Sequence, residues 1–199
     1  MAKKSPSESR SRTYTINELH ELGWDTKHPI NGGQVLEEQE AKNYDTRLEE
    51  LLLKDRPDFL IYHNNEPIIV IENKNDKDKL DQALNQAKYY AMKLSQKYFN
   101  VRVISGVAGD EEFGAIVRTY YYNNNKEWVE VMANNYPLTQ FLTLVQYEQL
   151  INNNNGSIDI DIPSEQEFYR IAEKINEILH EAKVNKSDRA LYLGAIVLS

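Results

Sequence analysis

The chain has no cysteine among its 199 residues, so disulfides and thiolate zinc sites are both excluded. No apolar run nears the roughly 20 residues needed to cross a bilayer, and the opening residues are too polar for a secretory signal. The cytoplasm is therefore the expected compartment. Four histidines (His20, His28, His63 and His180) are scattered without metal-ligand spacing and receive no catalytic role. Nothing repeats internally, and no phosphate loop of the form GxxxxGK[ST] occurs. Basic charge is short too: 23 Lys and Arg stand against 31 Asp and Glu, for a formal net charge of -8. A free-standing duplex binder usually carries a basic excess, because phosphate contacts supply most of its affinity.

What is present concentrates in residues 57–74. Two apolar runs, 58–62 and 67–74, flank the polar turn His63-Asn64-Asn65-Glu66, the pattern of a β-hairpin. Asp58 opens the first run, and Glu72 and Lys74 close the second. Side chains alternate faces along a strand, so Glu72 and Lys74 project to the same side. An apolar hairpin thus ends in a carboxylate and an amine side by side, with a second carboxylate where the other strand begins. Two hard oxygen ligands and a nearby cation suit magnesium-assisted phosphodiester hydrolysis. Acids alone would suffice to bind the metal; Lys74 is the discriminating detail.

Residues 76–98 are expected to be helical, with Leu80, Leu84, Ala87, Ala91 and Leu94 at three- and four-residue spacing. Acidic residues crowd its start (Asp76, Asp78, Asp81) and lysines its end (Lys93, Lys97), as the helix dipole favours. Gln86 and Tyr90, four apart, share a face beside the apolar stripe. With these residues in view, the chain resembles the PD-(D/E)xK nucleases. It looks most like the N-terminal nuclease domain of type I restriction enzyme motor subunits and of restriction–methyltransferase fusions. Pro57-Asp58 matches the first element, Glu72-Asn73-Lys74 the second, and Gln86 with Tyr90 the downstream Gln-x-x-x-Tyr element.

The resemblance implies a magnesium-dependent DNA endonuclease, with manganese as a substitute ion. Asp58 and Glu72 would be metal ligands, joined by the backbone carbonyl of Asn73, and Lys74 would position or activate the water. Gln86 and Tyr90 would hold the substrate strand or brace Lys74. Family members often add a carboxylate from the first helix, here expected over residues 15–22; Glu18 is the choice, Glu21 the next, and Glu38 and Glu40 weaker candidates. Partners implied are DNA and a downstream methyltransferase or helicase domain, with the methyltransferase favoured. The acidic balance fits carboxylates clustered at a cation, or tethering to a larger DNA-binding machine. Two alternatives stay open: a catalytically silent DNA-positioning or docking module, and a repair or junction nuclease of the same fold.

The fold expected is α/β and restriction-endonuclease-like: a mixed sheet of about five strands flanked by helices, with a helical C-terminal extension. Its order is a helix, three antiparallel strands, a helix and a further strand. The early strand is placed at 34–41 and the further one at 101–107, while 44–54 reads as either short helix or irregular connection. Residues 113–122 and 127–132 read as a second hairpin, the Tyr120-Tyr121-Tyr122 run being ordinary strand formers. Residues 138–151 and 164–183 read as helices, the second opened by a capping box of Ser164 and Glu167. The expected division is a disordered lead at 1–12, the nuclease domain at 13–135 and the helical extension at 136–199. The apolar 191–199 suggests that the natural protein continues.

Overall fold

Valine, isoleucine and leucine crowd two adjacent stretches, and the chain pairs them near the middle of a six-stranded sheet. The computed structural model describes residues 8–41, 44–53, 55–112, 114–160, 165–185, 188–189 and 191. Helix α1 (Glu8–Glu21) leads to β1 (Val35–Glu37), α2 (Thr46–Leu52), β2 (Phe59–His63) and β3 (Glu66–Lys74). Then come α3 (Leu80–Leu94), β4 (Val103–Asp110), β5 (Gly114–Tyr122) and β6 (Trp128–Glu130). Strands run in the order β1-β2-β3-β4-β5-β6, with β3 and β4 parallel and every other neighbouring pair antiparallel. The expected mixed α/β sheet flanked by helices is present, with six strands where five were expected.

A smaller sheet follows, built from β7 (Met132–Ala133), β8 (Tyr136–Pro137) and, after α4 (Leu144–Asn153), β9 (Ser157–Ile158). These elements belong to the first of two units, Met1–Asp159. That unit extends beyond residue 135, the end expected for the first domain, and within it Trp24 Nε1, just after α1, donates to the Leu142 carbonyl at 2.8 Å. The second unit, Ile160–Ser199, contains α5 (Glu165–Glu181). The expected capping residue Ser164 and all of 191–199 except Leu191 lie outside the described residues.

The hairpin turns at Asn64 and Asn65, both at positive φ (51° and 63°), a conformation Asn tolerates better than most residues. Its register slips between Ile61 and Tyr62, where Pro67 has no amide to give the ladder. On one face of the sheet, Leu36, Leu60, Val70 and Ile104 pack with Leu48 and Leu52 of α2 and with Leu84, Ala87, Ala91 and Leu94 of α3. Each large side chain so buried contributes about 1.5–3 kcal/mol. Alternation turns Asn73 to the opposite face, where its side chain meets α1. Helix α3 approaches β4 closely at Gly106: a Cβ there would lie 2.8 Å from two Leu84 side-chain carbons. Gly106 is also the strand partner of Glu72.

Several expectations need correction. The first helix begins at Glu8, well before residue 15, so Arg12 is helical and not part of a disordered lead; residues 1–7 lie outside the described residues. The early strand is cut to three residues. The ambiguous segment contains α2, whose start is capped by Asp45 accepting from the Arg47 amide at 2.8 Å. The long helix is interrupted: a single 3-10 turn at Lys77–Lys79, capped by Asp76, precedes α3. Helix α4 starts at Leu144 because Thr143 and Gln146 form a capping box there.

Candidate functional site

Three neighbouring strand ends meet at one rim of the sheet. β1 stops at Glu37, yet the Glu38 amide still donates to the Asp58 carbonyl at 3.0 Å, which sets Glu38 beside Asp58. Asp58 immediately precedes β2, and Glu72 and Lys74 close β3. The pairing Phe59↔Ile71 brings Asp58 level with the end of β3. Backbone amides then fix both carboxylates. Asn73 N donates to Asp58 Oδ2 at 2.7 Å, and Asp58 N donates to Glu72 Oε1 at 3.1 Å. Asp58 and Glu72 are 6% and 4% exposed, so these are desolvated acids and not rim decoration.

Burial and the facing Asp58 charge push the Glu72 carboxyl up to about 8. Asp58 also moves up, because burial outweighs the help of the Asn73 amide and the Arg12 guanidinium. Lys74 Nζ lies 3.9 Å from Glu72 Oε2. On α3, burial and then the Glu72 charge push the Tyr90 phenol up to about 12, which places Tyr90 in the field of the site. Gln86 shares a surface depression with Tyr90, Tyr89 and Asp55, and its Oε1 is buried without a hydrogen-bond partner.

The first-helix carboxylate is not where the sequence placed it. Glu18 has Glu21 and Glu111 as its charged neighbours, at the β4–β5 turn. Six positions from Arg12 is roughly 240° around the helix, so the two residues leave different faces. The nearby third carboxylate is Glu38, one of the weaker candidates. Its charge contributes to the raised Glu72 carboxyl, and it accepts from Arg12 Nη2, the same nitrogen that donates to Asp58 Oδ1.

Sequence reading missed Arg12 altogether. Arg12 is placed by the residues around it: Asn73 Nδ2 donates to the Ser11 carbonyl (3.0 Å), Ser11 Oγ (3.1 Å) and Thr15 Oγ1 (2.7 Å), while Ser11 Oγ reaches the Lys74 carbonyl at 3.4 Å. Ser11, Thr15 and Leu19 form the buried stripe of α1, and two of those three are hydroxyl residues. A search for apolar spacing passes over such a stripe.

The donor set can be weighed against a divalent ion. Among the described residues, no group of three or more His, Cys, Asp or Glu forms a cage. Magnesium asks for less, since it keeps several waters and takes one or two carboxylates. Asp58 and Glu72 each keep one oxygen not committed to a backbone amide. The N–H and C=O of a strand residue leave by the same edge, and the Asn73 N–H points at Asp58, so its carbonyl is directed to that side as well. Two carboxylates and a carbonyl are hard ligands that fit magnesium. Compared with protein-family models, curated proteins and solved structures, the chain finds no match.

Proposed function

We propose that this chain carries a magnesium-dependent DNA endonuclease domain of a restriction–modification enzyme, with a restriction-endonuclease-like fold. One observation carries the reading: Asp58, Glu72 and Lys74 converge at the ends of β2 and β3, with both acids buried and Lys74 Nζ 3.9 Å from Glu72. Buried paired acids are costly unless something compensates them, so a surface hairpin with solvated charges does not describe this rim.

In this reading Asp58, Glu72 and the Asn73 carbonyl hold the ion, with manganese able to substitute. Bound there, the ion supplies charge that polarises the scissile phosphate and acidifies a water. Lys74 orients the attacking water and offsets charge gathering on the phosphate oxygens. Tyr90, its phenol held above the ordinary range by burial and by Glu72, stays protonated at neutral pH and donates to the strand. Gln86 brings a spare acceptor to the same side. DNA is the substrate, and a methyltransferase or helicase domain the proposed companion.

The experiment is nicking of supercoiled plasmid by the full chain in Mg2+, Mn2+ and EDTA, alongside Glu72→Gln and Lys74→Met. Cleavage should vanish in EDTA and fall by about a hundredfold or more in each variant. Cleavage retained by both variants removes the assignment. The net charge of -8 favours a second reading, a catalytically silent docking or DNA-positioning module. Asp58→Ala separates the two, since a silent module restricts DNA unchanged without that carboxylate.

A further inference from the structure

We propose that Arg12 sets the affinity of this rim for a divalent cation, its guanidinium acting as a tethered counter-ion that the metal must draw off Asp58. The inference rests on the nuclease reading above and adds a control element to it.

Hydrogen bonding divides each acid in two. Asp58 commits Oδ2 to the Asn73 amide, which leaves Oδ1 for a cation, and Arg12 Nη2 is on that oxygen. Glu72 commits Oε1 to the Asp58 amide, which leaves Oε2, with Lys74 3.9 Å away. The oxygens a metal would take are thus the two that face side-chain cations. Arg12 sits directly on its oxygen, and its guanidinium stays charged throughout the accessible pH range. Repulsion between Arg12 and the metal must therefore be relieved by movement.

The surroundings define which movement is open. Helix α1 is pinned through Ser11 and Thr15 to the Asn73 side chain, so the helix itself is not free to slide. The side chain has an alternative seat: Nη2 already donates to Glu38, which is half exposed and stands outside the buried pair. Its present seat is also imperfect, since Arg12 Nε is buried without a partner. Transfer of the guanidinium wholly to Glu38 clears Asp58 Oδ1 and keeps the positive charge paired. With Glu38, Asp58 and Glu72 against Arg12 and Lys74, the rim carries a formal charge of 2 − 3 = −1 when all three acids are ionised. Removing the arginine charge makes it −2 and a better host for a dication.

The test is isothermal titration of Mn2+ and Mg2+ into the full chain at pH 7.5, comparing wild type, Arg12→Met and Arg12→Lys. Arg12→Met should bind at least tenfold more tightly than wild type. Arg12→Lys, which keeps a charge, should bind more weakly than Arg12→Met. A purely structural arginine gives the opposite, unchanged or weaker binding in Arg12→Met, and overturns the proposal. A second readout needs no substitution: the Arg12 Nε–Hε resonance of wild type should shift on adding Mg2+ and saturate at the calorimetric midpoint. A resonance unmoved at saturating metal overturns the proposal even if Arg12→Met fails to fold. Absence of binding in every chain removes the nuclease reading and this inference with it, whereas equal binding in wild type and Arg12→Met removes the inference alone.

Discussion

The Asn73 amide donates to Asp58 Oδ2 across 2.7 Å, locking the residue before β2 onto the end of β3. This bond joins fold and chemistry, because the same carboxylate is the proposed metal ligand. Asp58→Ala should leave a buried amide unpaired and the Arg12 charge half-compensated, costing about 2–4 kcal/mol. Asp58→Asn keeps an acceptor for the amide and should cost less than half as much. Urea denaturation in EDTA measures both, and both variants should lose divalent-ion binding. Equal stability of the two variants would show that the bond does not hold the strands together.

Asn73→Ala addresses the other side of the sheet. Its Nδ2 serves three acceptors on α1, including the buried hydroxyls of Ser11 and Thr15. Their loss should destabilise the fold by about 2–3 kcal/mol. Hydrogen exchange should also quicken in α1 more than in β3. Uniform quickening would mean that α1 is held by its apolar contacts, chiefly Leu19, and not by this network.

Glu72, Lys74 and Asp58 were legible because strand alternation and strand ends can be counted along a chain. Glu38 could be ranked only as a weaker candidate, because its nearness to Asp58 depends on how β1 registers with β2, and β1 has only three residues to announce itself. Arg12 was hidden for a different reason. The buried stripe of α1 is polar where it crosses Asn73, so conventional apolar spacing marks the helix only from about Thr15. The short α2 and the late start of α4 turn on local caps at Asp45 and Thr143. Buried hydroxyls and caps are satisfied by partners that only the folded chain supplies.

The raised Glu72 carboxyl gives the metal-free fold a pH signature. In the unfolded chain it ionises in the ordinary range, about 4.3; in the fold it ionises near 8. Between those values the folded state holds the extra proton, so stability present at low pH is lost as pH rises through the folded value. Asp58, moved in the same direction, adds to the effect. In EDTA the melting temperature should therefore fall between pH 5 and pH 8, by roughly 5 °C. Glu72→Gln should flatten that fall. Magnesium should restore the wild type at pH 8, since the ion takes the place of the proton. A melting temperature that rises from pH 5 to pH 8 in EDTA would contradict the burial of this acid.

Gly106 governs how closely α3 can approach the acids. It pairs with Glu72 in the β3–β4 register, and a Cβ there would meet Leu84 at 2.8 Å (side chain) and 3.1 Å (backbone N). Gly106→Ala should cost about 1–3 kcal/mol by overpacking. The backbone contact means that rotamer change in Leu84 cannot relieve it fully, so α3 must shift outward and take Tyr90 with it. The phenol would then lose part of the burial and the Glu72 field that hold it near 12, and its titration should move down toward the ordinary tyrosine value. Ultraviolet titration against a Tyr90→Phe background isolates that signal. Leu84→Ala alone should be destabilising, yet combined with Gly106→Ala it should cost less than the sum of the two, because truncating Leu84 makes room for the new Cβ at residue 106. Additive costs, with the Tyr90 titration unmoved, would place the strain of Gly106→Ala in β4 and leave the spacing between α3 and Glu72 set by other contacts.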